Sequence, residues 1–160
     1  MSYPGVTGEV SAVFRSAEEV EQVAFATSGT VARFVAPASM TGGRYGLFEW
    51  NMRPRSGGAG AHFHRTFSES FYVLSGIVRL YNGEKWVPTR AGEFLYVPEG
   101  GIHGFRNDDD VPASMLILFA PGPPREEYFR ELGAIAAEGR TLTEDEWTGL
   151  FARHDQYRAE

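Results

Sequence analysis

Between Thr30 and Phe119 the chain is a succession of short apolar runs broken by turn residues, and this punctuation constrains the fold more than any other feature. The runs are TVARFVA, YGLFEWNM, ESFYVLSG, VRLYN, EKWVP, EFLYVP, GFRN and ASMLILFA. Segments this short, rich in β-branched and aromatic residues and regularly spaced, read as strands of a sandwich or barrel. Tyr81-Asn82-Gly83-Glu84 carries the Asn-Gly pair that supplies positive φ to a type I′ hairpin. The 19 glycines, 9 prolines and 14% aromatic content fit the many tight turns of an all-β architecture. No internal repeat is visible, and 160 residues with 42% hydrophobic content suffice for one core.

The flanks have a different character. Ser16 with Glu19 three residues later forms a capping-box pattern for a short helix running toward Ala24. After Pro121-Gly122-Pro123-Pro124 the period becomes helical, with Tyr128, Leu132, Ile135 and Ala136 on one face and Gly139 as the stop. A second helix opens on Thr143 and Glu146, and Trp147, Leu150, Phe151 and His154 fall on one stripe. The expected division is an N-terminal arm over 1–29, a barrel over 30–120 and a helical extension over 121–160 packed on it. Both helices are expected to cover the outside of the barrel, with a lid or dimer arm as the alternative, and His154 to be a surface or packing residue.

A formal net charge of −6 argues against a nucleic-acid partner, whose affinity rests on lysines and arginines neutralising phosphates. The N-terminus MSYPGVTGEV has neither a basic nor an apolar leader segment, and no stretch approaches the ~18 apolar residues of a membrane span. The expectations are a cytoplasmic protein, no membrane, and a small-molecule substrate as partner. Without cysteine there are no disulfides and no thiolate ligands, so a metal site must be built from His, Asp and Glu.

Those residues are concentrated in two segments. In AHFHRTFSES, His62 and His64 stand two apart, which on a strand turns both imidazoles to one face, and Glu69 can return to that face at the start of the next strand. In GEFLYVPEGGIHGFRN, Gly92 permits the turn into a strand and Pro98 ends ladder pairing. Gly100 with Gly101 then reverses the chain so that His103 points inward, and Asn107 closes the next turn by bonding its own backbone. Three histidines and a carboxylate buried together would be costly without a cation.

These segments resemble the two motifs of the cupin superfamily, and in particular its small single-domain bacterial members of quercetinase-like or dioxygenase-like type. Gly92, Pro98, Gly100, His103 and Asn107 match the second motif, G-x5-P-x-G-x2-H-x3-N, at every fixed position. His62, His64, Glu69 and Gly76 match the first, G-x5-H-x-H-x3 or 4-E-x6-G, except that its leading glycine is replaced by Ser56, beside Gly57, Gly58 and Gly60. The resemblance implies a double-stranded β-helix, a jelly-roll barrel whose inside carries one divalent transition metal (Fe, Mn, Ni, Co or Zn) on His62, His64, Glu69 and His103. It also implies a homodimer.

Four protein ligands on an ion that tolerates six leave positions for substrate or dioxygen. Phe48, Trp50, Phe71, Val73, Tyr96, Phe105 and Phe119 are the candidates for an aromatic substrate pocket, and counting by two from Glu69 and His103 turns Phe71, Val73 and Phe105 inward. The expected function is a metal-dependent oxygenase acting on a small enolic or phenolic substrate, with Glu69 as both ligand and catalytic base. The alternatives are a non-redox isomerase or cyclase, in which Tyr72, Tyr96 or Glu49 could move protons, and a non-catalytic module that binds a small molecule or metal.

Overall fold

Strict alternation of inward and outward side chains builds the main sheet. The computed structural model describes residues 2–159. Its strands are β1 (Gln22–Ala24), β2 (Val31–Ala36), β3 (Gly46–Met52), β4 (His62–Phe63), β5 (Ser68–Ser75), β6 (Ile77–Tyr81), β7 (Trp86–Arg90), β8 (Phe94–Val97), β9 (Gly104–Arg106), β10 (Ala113–Ala120) and β11 (Tyr157–Arg158). The helices are α1 (Ala38–Thr41), α2 (Arg125–Ala137) and α3 (Glu144–Arg153).

A six-stranded antiparallel sheet runs β1-β2-β3-β10-β5-β8, a three-stranded sheet runs β7-β6-β9, and β11 pairs with β4. In β3, Phe48, Trp50 and Met52 are buried while Leu47, Glu49 and Asn51 are only half-buried, as a one-faced strand requires. The register sets Ile117 opposite Phe48 and Phe71, Met115 opposite Trp50 and Val73, and Phe119 opposite Glu69. Glu69 therefore shares its sheet face with this apolar row. The core joins that face to Val78 and Leu80 of the small sheet and to Tyr128, Phe129, Ile135 and Leu150 of the helices.

A register shift at Ser114/Met115 lies opposite the end of β5, where Gly76 turns the chain into β6. Gly76 has φ +68, and a Cβ there would stand 2.4 Å from the Pro112 carbonyl oxygen, so the position requires glycine.

Three local expectations are corrected. Ser16 N–H does donate to Glu19 Oε2 at 2.7 Å, but the helix is a single 3-10 turn over Ala17–Glu19, and Gln22–Ala24 is an edge strand on β2. The Asn82-Gly83 pair does not form a two-residue type I′ turn. Tyr81 pairs with Trp86 across a four-residue loop in which only Gly83 has positive φ, and Asn82 Oδ1 accepts from the backbone of Glu84 and Lys85. The helices do more than cover the outside, since Phe129 of α2 packs its ring against Phe48 and Trp50 on the inner face of the large sheet. The α3 capping box forms as expected: Glu146 N–H donates to Thr143 Oγ1 at 3.2 Å and Thr143 N–H to Glu146 Oε2 at 2.8 Å. No described helix is long and apolar enough to cross a membrane.

Candidate metal centre and its cavity

Backbone pairing brings the two ligand segments together. His62 and His103 exchange both backbone hydrogen bonds at 2.9 Å, and Gly100 N–H donates to the His64 carbonyl at 2.7 Å. The turn at Gly100 (φ +79) is what returns His103 to this pairing. Asn107, fully buried, donates from Nδ2 to the carbonyls of Arg53 and Val111 and accepts Asp109 N–H at Oδ1, closing the turn after β9. Where the leading glycine of the first motif is missing, the positive φ falls on Arg55, one residue before Ser56.

Candidate ligand atoms of His62, His64, Glu69 and His103 lie within 4.8 Å of one another, and all four residues are buried. Each imidazole is held from behind. Nδ1 of His62 donates to the Gly60 carbonyl at 2.7 Å, Nδ1 of His103 to Gly101 at 2.9 Å and Nδ1 of His64 to Asp155 at 2.6 Å. Protons fixed on Nδ1 leave the Nε2 lone pairs of the neutral rings free to bind a metal, the arrangement by which outer hydrogen bonds orient metal-binding imidazoles. Glu69 Oε2 lies 2.7 Å from His103 Nε2 and 2.9 Å from His64 Nε2, and no hydrogen bond joins Oε1 to a described residue.

The electrostatics of the metal-free cluster are those of groups crowded out of water. Burial pushes the His62 imidazole down to about 3, helped by the neighbouring charge of His103. Burial would also lower His103, but the Glu69 carboxylate and its hydrogen bond outweigh it and raise the group above the ordinary histidine value. Burial raises the Glu69 carboxyl, yet the charge of His103 and the hydrogen bonds from His103 and His64 hold it well below the usual range. Three oriented nitrogens and one ionised oxygen, all buried, form a donor set that suits a divalent transition metal.

His62 and Glu69 open onto a cavity of about 820 Å³. Trp50, Phe105 and Phe119 line it. Phe48, Phe71 and Val73 do not line it; they are fully buried core beneath its wall. Tyr96 is a correction of another kind. It pairs with Ser70, while its neighbour Val97 pairs with Glu69, so its side chain leaves by the outer face and is more than half exposed. Tyr72 is likewise exposed and Glu49 is engaged with Arg33 on the outer face, which removes both from proton transfer at the cluster. His154 packs on the Tyr128 ring with Nε2 2.8 Å from Glu131.

Sequence reasoning missed the contribution of the C-terminal third. Arg125, Tyr128, Phe129 and Leu132 of α2, with Trp147 and Phe151 of α3 and Gln156 beyond it, form a wall of the cavity. Asp155 supplies the carbonyl behind His64, and its carboxylate accepts from the backbone N–H of Arg65 and Thr66. The helical stripe was visible as an apolar face; nothing in it pointed to the cluster.

A jelly roll of a six-stranded and a three-stranded sheet that gathers three histidines and a glutamate on its inner face defines a class of β proteins whose interior can hold a metal. Residues 48–119 match the family model described as Cupin domain. The chain is 28% identical over 107 residues to quercetin 2,3-dioxygenase of Bacillus subtilis, covering 67% of this chain and 31% of that protein. The chain spans about a third to a half of the length of the curated relatives it matches. Among solved structures, a sugar phosphate isomerase of the cupin superfamily from Silicibacter pomeroyi superposes with a TM-score of 0.58 at 20% identity, covering 66% of this chain and 73% of that one. The polyketide cyclase RemF of Streptomyces resistomycificus superposes with a TM-score of 0.57 at 19% identity, covering 74% and 93%. These structural likenesses establish the fold.

Proposed function

We propose that the chain is a metal-dependent oxygenase acting on a small enolic or phenolic substrate. The observation that carries this reading is the opening of the buried cluster, through His62 and Glu69, onto a cavity walled by aromatic rings. His62, His64, Glu69 and His103 would hold one divalent transition metal (Fe, Mn, Ni, Co or Zn), and such an ion supplies a Lewis acid and, where it is redox-active, a partner for dioxygen. The resemblance to quercetin 2,3-dioxygenase supports the same class of reaction.

The chain's own residues have separable tasks. Trp50, Phe105 and Phe119 offer flat apolar faces to a ring and keep water from it. Glu69 fits the role of general base. Its Oε2 is engaged by two imidazoles while no described residue bonds Oε1, and its histidine neighbours, outweighing burial, keep it ionised and able to take a substrate hydroxyl proton at Oε1. The three histidines keep their Nδ1 protons throughout.

The test is oxygen uptake by protein loaded in turn with each metal and offered flavonols, diketones and catechols. Uptake is expected with at least one pairing. Glu69→Gln should lower turnover by ~10² to 10⁴ while metal affinity falls much less. Turnover without oxygen consumption would assign an isomerase or cyclase instead, and a Glu69→Gln protein working at the wild-type rate would rule out Glu69 as the base.

A further inference from the structure

Arg125, the first residue of α2, is 4% exposed, and it lines the cavity beside the cluster. Its guanidinium carbon lies 4.2 Å from the ring centre of Tyr128, 5.2 Å from Phe119 and 5.3 Å from Phe129. Nη1 donates to the His154 carbonyl at 3.1 Å and Nη2 to Gln156 Oε1 at 3.0 Å. Both acceptors are neutral, and Nε has no partner. Among the described residues no carboxylate stands within ion-pair distance of this cation. Aromatic faces and a carbonyl offset part of the cost of burying it, but a guanidinium stays protonated and a buried charge calls for a counter-charge.

The cavity supplies none that is uncommitted. Among the described residues its charged lining is Arg125, Arg140 and Arg158 against the carboxylate of Glu69, on a chain whose net charge is −6. Arg140 and Arg158 have acidic partners outside the lining, Glu138 and Glu144. The Glu69 carboxylate is shared between His103 and His64 and belongs to the metal donor set. Among the described residues Arg125 is thus the cation of the wall that has no ion-pair partner. A second buried polar atom of the lining, Thr30 Oγ1, also lacks a partner.

We propose that the cavity takes an organic acid, its carboxylate paired with Arg125 and its apolar body lying on Trp50, Phe105 and Phe129. The proposal deepens the reading of this cavity as a substrate site, and it narrows the enolic or phenolic substrate to one that also carries a carboxylate. It does not depend on a metal or on dioxygen. Gln156, whose Oε1 is taken by Arg125 and whose amide also meets the Tyr128 hydroxyl, closes the wall beside the guanidinium.

Binding is measured on the full chain after chelator treatment, through the fluorescence of Trp50 and Trp147, both of which line the cavity. The probes are benzoate and phenylacetate, each against its neutral amide. Each acid is expected to bind about tenfold or more tightly than its amide, as a charge-assisted bond in a dry site provides. Arg125→Gln should abolish that preference, and Arg130→Gln, which removes a cation outside the cavity already matched by Glu21, should keep it. Thermal melts of each variant establish that it folds; if Arg125→Gln does not, the wild-type ratio and Arg125→Lys, which should retain part of the preference, still decide. Equal binding of acid and amide, no binding of either acid at millimolar concentration, or a preference that survives Arg125→Gln overturns the proposal. Acid preference in a protein that consumes no oxygen with any metal would leave this inference standing and remove the oxygenase. Oxygen uptake without acid preference would do the reverse.

Discussion

Asp155→Ala isolates what the C-terminal segment contributes to the metal centre. Asp155 does three things: its carbonyl accepts the Nδ1–H of His64 at 2.6 Å, its carboxylate accepts from Arg65 N, Thr66 N and Thr66 Oγ1 at 3.1, 2.8 and 2.6 Å, and its backbone sits at φ +52. Alanine tolerates that left-handed φ less well than aspartate, at a cost of about 1 kcal/mol. Losing the carboxylate bonds, in a half-exposed and solvent-screened setting, costs about another 1 kcal/mol. For a chain of this length a loss of ~2 kcal/mol lowers Tm by roughly 4–8 °C. The alanine still has a carbonyl, but the turn that aims it at His64 is no longer pinned, so metal affinity should fall by about 10- to 100-fold, the usual effect of loosening an outer hydrogen bond on a metal-binding histidine. Competition for Zn²⁺ against a chromophoric chelator at fixed pH gives the affinity, and calorimetry gives Tm. Asp155→Asn, which keeps one side-chain oxygen and tolerates the same φ, should lose less on both measures. A variant that melts lower yet binds Zn²⁺ within twofold of wild type would refute the coupling and leave Asp155 a purely structural cap.

Two further predictions follow from burial. In the metal-free protein the folded His62 pKa lies near 3, below its unfolded value of about 6.5, so as pH falls below ~6.5 the unfolded chain takes up a proton that the folded chain refuses and stability drops. His103 has the opposite sign: its raised pKa adds stability that is present below ~6.5 and lost as pH rises through the folded value. His62→Gln removes the first contribution only, so Tm of the metal-free variant should decline less steeply than wild type between pH 6 and 4; an equally steep decline would contradict the assignment. Phe129→Ala deletes a buried ring packed on Phe48, Trp50 and Tyr128, and should cost about 3–5 kcal/mol in denaturant unfolding. A loss below 1 kcal/mol would mean that α2 is not docked on the sheet as described.

The strands and the ligand segments were legible for different reasons. β3 announces itself because one face is apolar and the other largely polar, so period two fixes both the element and its direction, while β5 and β10 are legible as short runs of aromatic and aliphatic residues bounded by turn residues. The ligands were legible because glycines and a proline at fixed offsets dictate where His103 must turn. Tyr96 was not, since Phe94-Leu95-Tyr96-Val97 is apolar in both phases. Only pairing with β5, which sets Val97 and not Tyr96 beside Glu69, decides which way each residue faces. Strands β1, β4 and β11 are too short to carry a period, and β4 forms because the motif turns bring His62 to His103. The roles of Arg125 and Asp155 are long-range: an arginine after two prolines reads as an ordinary helix start, and its burial depends on rings that come from β10 and from α2 itself.

Comparing the three bonds behind the imidazoles shows where the site is conditional on the rest of the fold. Gly60 and Gly101 lie two residues before the histidines they serve, so those bonds form wherever the local turns form. The bond to His64 comes from a residue 91 positions away. Its donor ring is also stacked on Phe67, 4.3 Å away, so the ring plane is set by packing while the tautomer is set by the distant carbonyl. Arg125 holds the same stretch of chain, through the carbonyl of His154 and the side chain of Gln156, on either side of Asp155. One docking event therefore sets the His64 tautomer, closes the cavity wall and places the guanidinium beside the cluster. Since the residues that orient the donor set and those that would read a substrate's charge share one segment, an anion bound at Arg125 is expected to change metal affinity, and a Zn²⁺ affinity unaltered by saturating benzoate would refute that coupling.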